Sequence, residues 1–396
     1  MSMSENIRQQ MVQGSWIRRM FEEGAALKSL HGVDKVCDLS LGNPIVEPPE
    51  EFKAELRRLV ENPVPGMHRY MANAGYEETR DAVAKELESE TGVAVTARDV
   101  CMTVGASGAR NAVLKTLLDP GDEVIVLAPY FVEFLAYIGN HGGVPRIVRT
   151  GPDFLPDPAA VEAAIGPKTK AIVLNSPNNP SGVVYSETLV ADLAALLTRK
   201  ERELGRQLYI ISDEPYRRII FDGLKPVSVF NHYRNSVVVS SHSKDLALPG
   251  ERIGYAVLNP DADEHDDIIA GIIYSNRILG FVNAPALMQH AVRNMQHITV
   301  SVSDYERKRD ILYGALTQMG YDVVRPQGAF YMFPKSPVDD DVEFVHELLS
   351  LLVLVVPGQG FGASGHFRIS YCVENRTLDR SLEGFRKAAV KYGLTQ

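Results

Sequence analysis

From about residue 96 the chain alternates between short β-branched apolar runs and amphipathic helical segments, and this alternation restricts the fold more than any other feature. Ala106 to Leu118 has helical spacing and stops at Asp119-Pro-Gly-Asp. Glu123 to Ala128 has a strand pattern, and Phe131 to His141 is helix-like up to Gly142-Gly143. Lys170 to Leu174 is a strand running into Asn-Ser-Pro-Asn-Asn-Pro-Ser-Gly, a dense turn signal. Glu187 to Leu204 is an amphipathic helix closed by Gly205, and Leu208 to Ser212 and Val237 to Ser240 are further strands. Strands that alternate with helices imply an α/β fold, with a mostly parallel sheet covered on both faces. Ligands of such sheets bind outside the carboxyl ends of the strands.

Beyond about residue 286 the pattern changes. A polar helix, Ser303 to Met319, precedes short strands around Gly328 to Phe333, a helix from Val342 to Leu351, a strand into Pro357 and another at Phe367 to Cys372. This predicts a smaller α+β domain, against which the segment before Pro48 should pack. The expected division is a large domain at 49–285 and a small one made of 1–48 with 286–396.

A chain of 396 residues is long enough for a large core in two domains. Its net charge of −9 argues against nucleic-acid binding, which needs a concentrated basic face. The pairs Arg18-Arg19, Arg57-Arg58 and Arg217-Arg218 lie among acidic or apolar residues, as solvated faces or local ion pairs do. Cys37, Cys101 and Cys372 are odd in number and widely spaced, which fits free thiols in a reducing cytoplasm. The first ten residues lack the apolar core of a signal peptide, and the stretch around Leu351 to Val356 is too short to span a bilayer, so no membrane association is expected.

The chemistry concentrates at Ser-Ser-His-Ser-Lys, residues 240–244, which follows a buried strand. A lysine there can be partly desolvated, which lowers its pKa and frees its amine to attack a carbonyl. Ser241, Ser243 and Arg252, eight residues past Lys244, suit a dianionic phosphate. A carbonyl and a phosphate on one small molecule describe pyridoxal 5′-phosphate (PLP). Asp213 ends the strand Leu-Tyr-Ile-Ile-Ser, where a carboxylate is costly unless it meets a cation such as a pyridinium nitrogen. The alternative is that Asp213 caps the next helix. Tyr216, three residues on, could place its phenol on the ring's 3-oxygen, as could the amide of Asn179, itself otherwise a plain turn residue.

Thr103-Val-Gly-Ala-Ser-Gly-Ala-Arg opens a helix, so Ala106 and Ser107 offer donors at an anion-binding N-terminus. Phe131 could stack on the pyridine ring or belong to the core. Gly360-Phe-Gly-Ala-Ser-Gly365 matches G-x-G-x-x-G, but a strand follows it where a dinucleotide site needs a helix. A flexible loop delivering Arg368 is the better reading, with a substrate α-carboxylate as that arginine's partner. A structural salt bridge is the alternative.

In this order and spacing the residues resemble the class I/II (fold type I) PLP-dependent aminotransferases, the aspartate aminotransferase superfamily. Leu39-Ser-Leu-Gly-Asn-Pro is similar to that family's N-terminal Gly-x-Pro segment, which implies Gly42 near the substrate carboxylate. Tyr70-Met-Ala-Asn-Ala-Gly75 resembles its Tyr-x-x-x-x-Gly motif, which implies that Tyr70 reaches the cofactor phosphate of a neighbouring subunit in a homodimer. Pro120-Gly-Asp122, Asn179-Pro-Ser-Gly, Asp213-x-x-Tyr216, Ser241-x-Ser243-Lys244, Arg252 and Arg368-x-Ser align by type, with Ser181 where Thr is common.

The resemblance implies a cofactor held by Lys244 as an aldimine, and ping-pong transfer of an amino group from an α-amino acid to a 2-oxo acid. Aspartate and 2-oxoglutarate are the leading pair. A distal carboxylate would need a second cation; Arg277 is the candidate, beside Arg18 and Arg69, with a structural interface arginine as the competing reading. The rival functions are a PLP-dependent β-lyase on a sulfur amino acid and a non-catalytic aminotransferase-like regulatory domain. An NAD-dependent dehydrogenase fails on its missing strand–glycine–helix fingerprint.

Overall fold

A computed structural model describes residues 3–13 and 15–394, apart from the side chains at 6, 9, 12, 13, 15, 17, 18 and 21. Twelve strands occur among these residues. They are β1 (Cys37–Asp38), β2 (Val100–Thr103), β3 (Glu123–Ala128), β4 (Val144–Arg149), β5 (Thr169–Asn175) and β6 (Tyr209–Asp213). The remainder are β7 (Ser236–Ser241), β8 (Gly254–Leu258), β9 (Tyr331–Met332), β10 (Val353–Leu354), β11 (Val356–Pro357) and β12 (Phe367–Ser370).

Seven strands form the main sheet in the order β2-β8-β7-β6-β5-β3-β4. From β7 to β4 every pairing is parallel; β8 runs antiparallel to both of its neighbours. Alternation along the strands feeds two apolar layers. Val124, Val126, Ile211, Val237 and Val239 face one, while Ile125, Ile172, Ile210 and Val238 face the other. Burial on both faces explains why β5, β6 and β7 are continuous apolar runs and were legible as strands.

β2, β4 and β8 were not anticipated. β4 is an edge strand, Val-Pro-Arg-Ile-Val-Arg, largely exposed and carrying a proline and two arginines. Those are the marks of a protected edge, and they hide the apolar signal. The helix Gly105–Leu117 packs between the sheet and the helix His265–Ile278.

The later strands make two small sheets. β1 pairs with β10 in parallel, and β11-β12-β9 is antiparallel. The β1–β10 pairing seats the N-terminal segment against the C-terminal part. Ser370 donates its N–H to the carbonyl of Leu39 at 2.8 Å, which draws the residues around Gly42 towards β12.

Candidate active site

Four strand ends and two loops converge on a cavity of about 250 Å³. Its lining includes Gly42, Ala106, Ser107, Phe131, Asn179, Asp213, Tyr216, Ser241, Ser243, Lys244, Arg252 and Arg368, twelve of the residues singled out in the sequence. β3, β5, β6 and β7 run parallel, so the residues at or just past their carboxyl ends meet at one edge of the sheet.

Lys244 lies in the one-turn helix His242–Asp245 directly after β7, and not on the strand itself. Its Nζ donates to the carbonyl of Gly42 at 2.7 Å. Burial lowers its pKa to about 8, with Arg252 and Arg368 acting in the same direction and Cys372 opposing. Gly42 has no room for a side chain as the site stands, because a Cβ there would collide with the Tyr331 hydroxyl.

Asp213, at the end of β6, is 3% exposed and caps no helix. Arg110 pairs with its Oδ1, and the Asn175 amide donates to its Oδ2 at 3.1 Å and to its backbone carbonyl at 3.0 Å. Burial raises the Asp213 pKa, and Arg110 opposes that rise. Arg110 is held under the rings of Phe131, Phe134 and Tyr137, at 5.7, 5.3 and 5.5 Å.

Tyr216 shares a 2.9 Å hydrogen bond with the hydroxyl of Tyr331, and burial lifts its pKa well above the usual phenol value. Ser107 stands in the first turn of the helix Gly105–Leu117, and its Oγ accepts from Arg110 at 3.2 Å. The Arg252 guanidinium lies so near Gly105 that a Cβ there would meet Nη2 at 3.0 Å. Ser107, Ser241, Ser243 and Arg252 thus gather hydroxyls and one guanidinium at a helix N-terminus, the donor set a phosphate needs.

Arg368 on β12 is 2% exposed. Its Nη1 donates to Asn179 Oδ1 at 3.0 Å and its Nη2 to the carbonyl of Ser40 at 2.6 Å. The rings of Tyr331 and Phe361 flank it, each 4.7 Å away. Its Nε is buried with no hydrogen-bond partner, and among the described residues no carboxylate forms an ion pair with it. A desolvated guanidinium with a free donor is complementary to a ligand carboxylate. The Gly360–Gly365 stretch ahead of β12 is not a loose loop: Gly358–Phe361 is a 3₁₀ turn, Phe361 is fully buried, and Gly360 lies against Trp16.

Three sequence candidates, Tyr70, Arg69 and Arg277, lie outside this cavity. Tyr70 is 91% exposed and borders a separate shallow pocket with Arg69 and Phe281. Arg277 is exposed near the end of the helix His265–Ile278. The side chain of Arg18 is outside the described residues. Conversely, sequence reading missed Arg110, Glu133 and Tyr331, all of which line the cavity. Arg110 could have been found from its spacing, one turn past Ser107 on the same helix. Glu133 stands two residues after Phe131, and Tyr331 sits in a run that reads as plain apolar core.

The residues present suit PLP: an amine with a lowered pKa, a buried carboxylate, phenol and amide donors, and a phosphate-type cradle. The family model for aminotransferase class I and II matches residues 34–385. A probable aspartate/prephenate aminotransferase of Thermus aquaticus is 37% identical over 366 residues, covering 90% of this chain and 92% of that protein. The crystal structure of an aminotransferase from Eubacterium rectale is 37% identical with a TM-score of 0.95, covering 99% of both chains. The aspartate aminotransferase of Thermus thermophilus with maleate is 32% identical with a TM-score of 0.84, covering 94% of this chain and 96% of that one.

Proposed function

The chain belongs to the class I and II aminotransferases, PLP-dependent enzymes, and from that premise we propose which residues do the work and on what substrates. PLP, when bound, supplies an electron sink that stabilises negative charge at the Cα of an amino acid. Lys244 is the proposed anchor for its aldehyde carbon and the base that moves the Cα proton of the donor. The supporting observation is a buried amine with a pKa near 8, held over the cavity by the Gly42 carbonyl.

Asp213 would pair with the ring nitrogen, and Tyr216 and Asn179 would donate to the ring oxygen. Ser107, Ser241, Ser243, Arg252 and the backbone at Ala106 would hold the phosphate, with Phe131 stacked on the ring. Arg368 would take the α-carboxylate through its unpartnered Nε edge, already oriented by Ser40 and Asn179. Ping-pong transfer to a 2-oxo acid such as 2-oxoglutarate is the proposed course, with the donor leaving as its 2-oxo acid before the acceptor enters.

Aspartate is the first donor to test, because relatives bear that name. Arg277 gains no support as its distal-carboxylate partner within one chain, since it is exposed and outside the cavity. A homodimer with Tyr70 reaching the neighbouring site is supported by the exposure of Tyr70, Tyr274 and Ile278. The three cysteines are free and buried, in keeping with a reducing cytoplasmic setting.

The test is substitution of Lys244 by alanine. The variant should lose the visible absorbance of the lysine-linked cofactor and nearly all amino transfer. Retained turnover would reject the assignment.

A further inference from the structure

We propose that Tyr331 is a positioning residue for the cofactor: its hydroxyl donates to the oxygen of Tyr216, which commits the one proton of Tyr216 to the cofactor's ring oxygen and strengthens that bond. The inference rests on the PLP reading above and adds a residue that acts through Tyr216.

Tyr331 belongs to β9, and the antiparallel register sets Ser370 of β12 opposite it. Arg368, two residues away on β12, lies diagonally across, with its guanidinium 4.7 Å from the Tyr331 ring. Gly42 approaches so closely that a Cβ there would collide with the Tyr331 hydroxyl. Strand pairing, the stacked arginine and the glycine backbone together fix where that hydroxyl sits. It meets the Tyr216 hydroxyl at 2.9 Å, and the two rings pack edge to face with their centres 5.6 Å apart. Both residues are buried within one chain, so the contact needs no neighbouring subunit.

The direction of donation follows from counting protons. A phenol has one proton to give and lone pairs with which to receive. Burial pushes the Tyr331 phenol up to about 12 and Tyr216 well above the usual phenol value, so both keep their protons near neutral pH. With its own proton on the ring oxygen, Tyr216 can only accept from Tyr331. In a dry site linked hydrogen bonds polarise one another, so donation by Tyr331 makes Tyr216 the stronger donor. A donor to the ring oxygen favours the negative charge that gathers there when the lysine-linked cofactor loses its proton. Tyr331 thus lowers the pH at which that proton leaves.

The experiment is a spectrophotometric pH titration of the PLP-loaded protein without substrate, which reads the midpoint at which the visible band gives way to a shorter-wavelength one. Tyr331→Phe removes one hydroxyl and keeps the ring against Arg368. Its midpoint should rise by about half a pH unit, and Tyr216→Phe should raise it further. An unmoved midpoint in Tyr331→Phe overturns the proposal, even where the variant melts at a lower temperature, because Tyr331 then only supports the fold. A lowered midpoint overturns it as well, because Tyr331 then competes with the ring oxygen for the proton of Tyr216. Should Tyr331→Phe fail to fold, replacement of Tyr331 by 3-fluorotyrosine supplies a more acidic phenol and a stronger donor. That protein should show a midpoint below the native one, and a rise or no change overturns the proposal. An unmoved midpoint in Tyr216→Phe would reject the role given to Tyr216 together with this inference, and a native protein that shows no visible band with PLP would reject the cofactor reading itself.

Discussion

Lys244 and Arg368 carry the chemistry through opposite uses of burial. Burial weakens the hold of Lys244 on its proton, so a far larger share of its amine is neutral near neutral pH than for an exposed lysine. The guanidinium of Arg368 stays charged and is instead stripped of water between two rings. The pKa of Lys244 is lowered to about 8, so the reactive neutral amine grows as pH rises and levels off above that value. The rate at which PLP-free protein captures PLP should accordingly climb between about pH 7 and pH 8 and flatten by about pH 9. Stopped-flow absorbance checks it, and a rate that falls over this window would contradict it. Arg368→Ala should raise KM for every amino acid, by about 10- to 100-fold, because a charge-assisted bidentate contact is lost. Selective damage to acidic donors alone would reassign that arginine. Lys244, Asp213 and Arg368 stand out in the sequence as charged residues beside apolar runs, whereas Asn179 and Arg252 lie in turn-rich stretches and stand out only by their order and spacing with the others. Arg110 and Glu133 were not legible, since a charged residue in a helix's first turns usually faces solvent. Only the folded structure, in which both line the cavity and Arg110 packs against the Phe131 ring, reveals that these two face inward.

Elements decide how precisely those side chains are held. β5, β6 and β7 were readable from sequence because both faces are buried, whereas β4 was obscured by the proline and arginines of an edge. The close approach of the β1 segment to β9 turns on Gly42. Gly42→Ala would drive a Cβ into the Tyr331 hydroxyl and should cost about 1–3 kcal/mol of stability, with a loss of turnover. Thermal unfolding of the two proteins reads the first effect, and equal stability would mean that the β1 segment can shift. A remote helix supplies the contrast. Ser186 caps Glu187–Leu204 by accepting from the Leu189 N–H at 3.2 Å. Ser186→Ala should cost about 1 kcal/mol and leave kcat/KM unaltered. A kinetic change there would mean that this helix is coupled to the site.

The whole molecule brings one edge of a seven-stranded sheet against residues from both ends of the chain: Gly42 from the N-terminal segment and Arg368 from β12. Such long-range closure is where reading a sequence weakens, since spacing along the chain says little about which loops meet. The proposed homodimer belongs to this scale. If Tyr70 completes a neighbouring site, mixed dimers of Tyr70→Ala and Lys244→Ala chains each contain one intact site. Mixing the two inactive proteins under exchange should then restore about a quarter of native activity, as random pairing of two-fold dimers requires. No recovery, with exchange verified, would confine Tyr70 to its own chain. The measurement that tests the account most directly is the absorbance spectrum of the PLP-loaded protein with single amino acids and no oxo acid. Conversion of the visible band to a near-ultraviolet band, reversed by adding a 2-oxo acid, is the expected result. A visible band that no amino acid converts, or ammonia release without conversion, would contradict amino-group transfer.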